Sequence, residues 1–222
     1  METVKSLLAV KFAEPLRPWH ELRELMNVAA ANPKLEIQAP PFSIELADKR
    51  QAIVLHIRAV TFEQERVRSA DAAIVEGVGL LSKMHRASPF PAIGSVSYDT
   101  LFIEPFSLPF HELVSLVKRR FFKPTAVTES ATDVAVVFDV HEGDVIKHLR
   151  IGPMEANQLR SQFLRWPPDN VAERFAFVSL GYEYNRRVDF DEEALKGVLG
   201  VAAAWQNEQA ATIISVLHQE GG

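Results

Sequence analysis

The sequence contains no cysteine, which excludes disulfide bonds, thiolate metal sites and cysteine nucleophiles. Glycine is scarce, with 10 in 222 residues, and neither the glycine-rich phosphate-binding motifs nor the Gly-x-Ser-x-Gly motif of hydrolases is present. No group of carboxylates has the spacing of metal ligands. The sequence therefore predicts no cofactor and no metal ion, and it favours a protein that is not an enzyme.

Long apolar runs are missing as well. No stretch approaches the ~18 uncharged apolar residues of a membrane-spanning helix, and the short apolar run near the N-terminus follows an early acid, Glu2, unlike a signal peptide. We therefore expect no membrane contact and a cytoplasmic location. A net charge of −5 argues against nucleic acid as a partner, and residues 118–123 are the one cluster that mixes basic and aromatic side chains.

An internal repeat organises the chain. Residues 12–22 resemble residues 102–113, with one inserted residue near Leu108. The identical pairs in this patch and just after it are Phe12/Phe102, Glu14/Glu104, Pro15/Pro105, Pro18/Pro109, His20/His111, Glu21/Glu112, Leu22/Leu113 and Leu25/Leu116. The match resumes where His56-Ile57-Arg58 aligns with His148-Leu149-Arg150 and Phe62-Glu63 with Met154-Glu155. Two patches in the same order, at a nearly constant offset, indicate a duplication.

Each repeat reads as strand, helix, strand, strand. Strands are predicted near residues 6–13 and 95–104, and each is followed by an apolar stripe at helical spacing. Pro18 and Pro109 suit the first turns of these helices. Antiparallel hairpins follow, with strands at 42–46 and 52–60 in the first repeat and at 133–140 and 145–151 in the second. We expect residues 6–63 and 96–155 to superpose as one unit.

The remaining segments connect and extend the repeats. We divide the chain into a first repeat (1–68), a connecting helix and proline-rich linker (69–94), a second repeat (95–165) and a terminal strand and helix (166–222), within one compact pseudo-symmetric domain. The final helix begins near residues 189–191 and runs to about His218. Its first turn is capped either by Asp189 with Glu192 or by Asp191, and the sequence leaves both registers open.

These elements predict an α+β fold of tandem duplicated β-α-β-β units with an antiparallel sheet and a long C-terminal helix. The order of elements resembles that of tandem ferredoxin-like folds. It is also similar to that of duplicated strand-helix-strand-strand proteins, such as the gyrase-inhibitor-like and SOUL ligand-binding domains. This resemblance does not by itself specify a function. If the protein binds a small ligand, the groove between the two repeats is the expected site.

The candidate ligand-binding residues are His56, Arg58, His148 and Arg150. Residues two apart on a strand share a face, so each histidine is expected to point the same way as its arginine. A pseudo-twofold relating the repeats can bring the four side chains together. Arginine binds phosphate and carboxylate groups well, so the predicted ligand is a small anion.

Three functions remain open at this point. The first is a non-catalytic binding or protein-interaction protein, and the second is a sensor or carrier of a small anionic or aromatic ligand. The third is suggested by the two-histidine phosphoesterases, which are also duplicated, although Arg58 and Arg150 stand where that family has a small hydroxyl residue. A homodimer through the C-terminal helix is also predicted, because this helix carries several large apolar residues, namely Trp205, Ile213, Ile214 and Leu217.

Overall fold

The computed structural model describes residues 1–16, 36–38 (backbone only), 43–166 and 173–219. The strands in these residues are β1 Glu2–Phe12, β2 Glu36–Gln38, β3 Ser43–Ala47, β4 Gln51–His56, β5 Ala59–Glu65, β6 Ile93–Pro105, β7 Val136–Glu142, β8 Val145–Glu155 and β9 Arg174–Tyr184. The helices are α1 Ala70–Ala87, α2 Phe110–Phe121, α3 Ala126–Ser130, α4 Ala156–Gln162 and α5 Glu192–His218. The helix predicted to begin near Pro18 lies outside the described residues.

The nine strands form one antiparallel sheet in the order β2-β3-β4-β5-β1-β6-β9-β8-β7. The two halves of the chain meet where β1 pairs with β6, and Leu8 lies opposite Tyr98 in this pair. Because the chain contains both helices and a sheet whose strands are all antiparallel, the predicted α+β class with an antiparallel sheet is confirmed.

Three helices cover one face of the sheet. Helices α1 and α5 pack over β1, β3, β4 and β5, where alternate strand residues such as Leu8, Leu46 and Phe62 are buried. The other end of α5 packs with α2 over β8 and β9. The period-2 burial along each strand leaves the remaining side chains on the opposite side, which we call the open face.

One end of the open face is covered by α4 and the residues that follow it. Leu159 and Leu164 pack there against Leu101, Phe175 and Phe177 of the sheet. The rest of the open face carries half-buried polar side chains. None of the described helices combines the length and the apolar character needed to cross a membrane.

The single strand predicted for residues 52–60 is wrong. The chain instead turns at Ile57 and Arg58, and β5 returns antiparallel to β4. The carbonyl oxygens of these two residues accept hydrogen bonds from the backbone N–H groups of Leu16 (2.6 Å) and Phe12 (2.8 Å). The turn is therefore stabilised by a distant segment of chain, which the local pattern did not reveal.

The C-terminal helix has the extent that the sequence predicts. Asp191 is its N-cap, and the carboxylate of Asp191 accepts a hydrogen bond from the N–H of Ala194 at 2.7 Å. Three of the apolar residues that suggested a dimer are already buried in this chain, because Ile213, Ile214 and Leu217 pack against the sheet and α2. Trp205, the fourth, is partly buried, and a dimer through this helix stays a prediction.

Candidate functional site

The four residues predicted to form one site do not come together. His56 ends β4 and Arg58 lies in the following turn, and both are exposed. His148 and Arg150 share the open face of β8, as their spacing predicts. Four strands separate β4 from β8, which places the two pairs about 24 Å apart at ~4.8 Å for each step between strands. A single groove holding all four side chains is therefore wrong.

His148 belongs instead to a group of acidic residues on the open face. Asp99, Gly181, His148 and Asp139 lie opposite one another across β6, β9, β8 and β7. The imidazole Nδ1 of His148 lies 2.7 Å from Oδ1 of Asp139, and its Nε2 lies 4.0 Å from the carboxylate of Glu183. We call Asp99, Asp139, His148 and Glu183 the His148 cluster.

A glycine makes room for the central carboxylate. A Cβ atom built on Gly181 lies 2.5 Å from Oδ1 of Asp99 and 3.2 Å from Cβ of His148. The Asp99 carboxylate therefore lies directly over the backbone of Gly181, a position that any larger residue at 181 obstructs. The absence of a side chain at this position lets Asp99 and His148 approach each other across β9.

Asp99 is an acid in an environment that disfavours its charge. The pKa of Asp99 is raised from 3.8 to about 6, mainly by burial and in part by the charge of Glu183, while His148, Lys11 and Arg150 act in the opposite direction. No side chain or backbone group of the described residues donates a hydrogen bond to this carboxylate. Buried carboxyl groups without partners are costly and often mark functional sites.

The sheet behind Asp99 is held by a buried glutamine of α5. The Gln206 side-chain N–H₂ donates to the carbonyl oxygens of Tyr98 (2.7 Å) and Leu180 (2.9 Å). These residues directly precede Asp99 and Gly181 in the chain. The side-chain oxygen of Gln206 accepts from the hydroxyl of Thr100 at 2.8 Å, so the glutamine fixes β6 and β9 from the helix side.

A segment at the border of the open face forms ion pairs and hydrogen bonds with the first half of the chain. Residues 163–166 follow α4, and the carboxylate of Glu65 accepts hydrogen bonds from the N–H groups of Arg165 (2.5 Å) and Trp166 (3.0 Å). The Arg165 guanidinium pairs with Glu45 and lies 3.9 Å from Glu63. This segment therefore holds the cover over one end of the open face in place.

One feature of the sequence marks Asp99, although Asp99 belongs to no recognised motif. A charged residue in the middle of a strand that is otherwise apolar or small is unusual, since such residues are rarely buried. Asp99 stands between Tyr98 and Thr100, which are both buried. Glu183 stands between Tyr182 and Tyr184 at the end of β9, and its relation to His148 depends on strand pairing.

Two further results limit the chemistry of this face. Within the described residues, no three histidine or acidic side chains are placed to hold a metal ion. The basic cluster of residues 118–123 lies elsewhere, beside a cavity of about 400 Å³ that Arg119, Phe122 and Lys123 help to line. Lys118 in this cluster is occupied, since its ammonium donates to the carbonyl oxygen of Glu129 at 3.1 Å.

Comparison with known proteins adds no family. No model of a protein family matches the chain. A search of curated proteins also finds no match. The function therefore has to be inferred from the geometry of the His148 cluster and its surroundings.

The raised pKa of Asp99 predicts a specific pH dependence of stability. The folded chain binds this proton more tightly than the unfolded chain, so stability falls as pH rises from about 4 to about 6 and stays lower above that range. A pKa difference of this size corresponds to about 3 kcal/mol. We expect Asp99→Asn to raise the free energy of unfolding by up to about that amount at pH 8, with little change at pH 4.

Denaturant unfolding of both proteins at pH 4 and pH 8 measures this effect. Asp139→Asn is the matched control, because the Asp139 carboxylate is half-exposed and already paired with His148. A variant Asp99→Asn that is less stable than the natural protein at pH 8 contradicts the electrostatic description of this site.

Proposed function

We propose that this protein is a non-catalytic binding protein whose open face takes a cationic group, an amine or guanidinium, of a small molecule at the His148 cluster. The observation that supports this most directly is the Asp99 carboxylate, which is held over Gly181 beside Glu183 without a hydrogen-bond donor among the described residues. A ligand that supplies a charged donor removes the cost of this arrangement.

The balance of charge favours a cation over the anion expected from the sequence. Three carboxylates surround His148 in the cluster. Two cations, Lys11 and Arg150, act on Asp99, and Lys11 is already engaged, because its ammonium lies 3.2 Å from Oε1 of Glu183. The anionic ligand was inferred from four converging His and Arg side chains, and the strand order separates them.

Acid–base chemistry on the same face is a second candidate. Asp99 has a pKa of about 6, and the hydrogen bond to Asp139 orients the imidazole of His148. A carboxyl group with this pKa can exchange protons near neutral pH. A phosphoesterase that uses one histidine from each half lacks its geometric basis, since His56 and His148 lie about 24 Å apart.

A thermal-shift screen tests the proposed ligand class. Putrescine, spermidine and arginine represent the cations, and phosphate and citrate represent the anions. A ligand at 100 times its Kd stabilises the folded state by about 2.7 kcal/mol, which raises the midpoint by roughly 5–10 °C for a chain of this size. We expect at least one amine or guanidine to produce such a shift and the anions to produce none.

Matched variants locate the binding site. Asp99→Asn and Glu183→Gln are expected to abolish the shift, whereas His56→Gln on the distant strand end retains it. A shift that survives both acid substitutions, or one produced only by the anions, contradicts the proposal. Hydrolysis of a generic ester that depends on Asp99 and His148 favours the acid–base function instead.

We also infer that the two halves are related by duplication, with a larger unit than the sequence suggested. Outward from the β1–β6 pair, the strand order is β5-β4-β3-β2 on one side and β9-β8-β7 on the other. Leu8 and Tyr98 are direct partners, and they differ by the same offset that aligns Phe12 with Phe102. This supports a pseudo-twofold axis between them and a unit that includes a third strand, β5 or β9.

This larger unit changes part of the proposed alignment. Phe62 and Glu63 lie on β5, whereas Met154 and Glu155 end β8. These residues are therefore not equivalent under the axis, although the alignment paired them. Equivalence of β5 with β9 and of β4 with β8 is the arrangement that the strand order supports.

A further inference from the structure

Strand β7 forms an edge of the sheet with both of its faces open. Every residue from Val137 to Glu142 is exposed, and Val137, Phe138 and Val140 are 56%, 54% and 47% exposed. Edge strands are usually protected by lysine, proline, a bulge or a covering segment. β7 contains neither lysine nor proline and pairs regularly with β8 over its whole length. Such an edge is suited to pairing with another strand.

We propose that β7 pairs antiparallel with β7 of a second copy of this chain, about a twofold axis at Val140. The two sheets then become continuous, and Val140 of one copy packs against Val140 of the other, while Phe138 lies opposite Glu142 of the second copy. This interface differs from the one expected on the C-terminal helix. It does not depend on the ligand proposed for the His148 cluster, although Asp139 belongs to both surfaces.

The hairpin geometry determines which backbone groups are free. β7 and β8 are joined by the two residues Gly143 and Asp144, and Gly143 has φ +60°. In such a two-residue hairpin the closing pair, Glu142 and Val145, is hydrogen-bonded. Alternate residues then direct their N–H and C=O groups away from β8. The free groups on this edge are those of Val137, Asp139 and His141.

This alternation restricts the symmetric registers. In an antiparallel pair, a residue with free groups must lie opposite another such residue, so the twofold axis passes through a residue and not between two. An axis at Asp139 places two aspartates opposite each other, which destabilises the pair. An axis at Phe138 places Asp139 opposite Val137. An axis at Val140 places Asp139 opposite His141 of the second copy, twice.

The charges of β7 therefore favour a second copy as the partner. In the Val140 register, each acid faces an imidazole across the interface, and Val140 packs against its own equivalent on the helix side of the sheet. Cross-strand pairs of opposite charge or of β-branched residues stabilise the pairing of two strands. Self-complementarity of this kind is the property that an isologous interface requires.

Sedimentation velocity at tens of micromolar measures the assembly. The natural chain is expected to sediment as a dimer, with twice the monomer mass of 24.9 kDa. Val140→Lys is expected to give a monomer, because charged lysine on an edge strand opposes pairing. The matched control is Val201→Lys, since Val201 is 61% exposed on α5, and this variant is expected to remain a dimer.

The absence of cysteine allows a direct test of the register. Opposed residues of a non-hydrogen-bonded pair have Cα atoms about 4.5 Å apart, within the range of roughly 4.4–6.8 Å that disulfides span. Val140→Cys is therefore expected to oxidise to a covalent dimer. In the same register, the two Phe138 positions lie roughly 14 Å apart along the strands, so Phe138→Cys is expected to stay uncrosslinked.

Three outcomes overturn the proposal. If the natural chain sediments as a monomer at tens of micromolar, it does not form a stable dimer. If Val201→Lys dissociates the dimer and Val140→Lys does not, the interface lies on the C-terminal helix. Efficient crosslinking through Phe138→Cys and none through Val140→Cys shows that β7 pairs in another register.

Discussion

Replacing Gln206 by alanine is expected to lower the free energy of unfolding by about 4 kcal/mol. The side chain is 1% exposed and takes part in three hydrogen bonds, to Tyr98, Thr100 and Leu180. A typical hydrogen bond contributes about 1 kcal/mol, and a buried group left without its partner costs roughly 1–3 kcal/mol. Truncation also leaves a cavity between α5 and the sheet, which adds to the loss.

Denaturant unfolding at pH 7 measures this loss as a change in midpoint at constant slope. Asn207→Ala is the matched control, because it removes an exposed amide from the next position of the same helix, and its effect is expected to stay within about 0.5 kcal/mol. Gln206→Met keeps most of the volume, so the difference between the methionine and alanine variants separates the cavity from the hydrogen bonds. Equal effects of Gln206→Ala and Asn207→Ala contradict the observed hydrogen bonds.

Replacing Glu65 by alanine is expected to cost a similar amount, about 4 kcal/mol. Glu65 is 2% exposed, and its carboxylate accepts the N–H groups of Arg165 and Trp166. Hydrogen bonds to charged groups contribute roughly 1.5–3 kcal/mol each. Their loss leaves two backbone donors unpaired where the segment crosses the sheet, so residues 163–166 are expected to detach before the rest of the fold opens.

Two measurements distinguish this local effect from general destabilisation. Denaturant unfolding gives the total loss, and the rate of tryptic cleavage after Arg165 under native conditions reports detachment of the segment. Glu173→Ala is the control, since the Glu173 side chain is 86% exposed and, among the residues that the structure describes, pairs with neighbouring Arg174 alone. Its effect is expected to lie within about 1 kcal/mol. Unchanged cleavage in Glu65→Ala shows that other contacts hold the segment.

Local periodicity was sufficient for the individual elements of the fold. The apolar stripe and the acidic cap predicted the C-terminal helix, which ends at His218 as expected. The helix expected within residues 69–94 and the strand expected after residue 166 are also present, at Ala70–Ala87 and Arg174–Tyr184. These features depend on residues close in sequence, whose spacing directly reflects the 3.6-residue or 2-residue period. The split between β4 and β5 was missed because a distant segment stabilises that turn.

The candidate site was only partly predictable from local periodicity. The spacing of His148 and Arg150 correctly placed both side chains on one face of β8, because alternation along a strand is local. Which strands neighbour β8 was not predictable from that pattern. The acids around His148 lie on β6, β7 and β9, so their convergence required the complete strand order.

The sequence by itself determined the α+β fold class, the position of the main helices and strands, and which side of each strand faces the core. The tertiary structure alone decided that His56 and His148 lie far apart, that the half-buried Asp99 carboxylate lies over Gly181, that Gln206 holds the sheet behind it, and that β7 lies exposed at an edge. The physical reason is that a period of two residues specifies the face of a strand and not its neighbour. Strand neighbours are selected by packing and hydrogen bonding between residues that are distant in the chain.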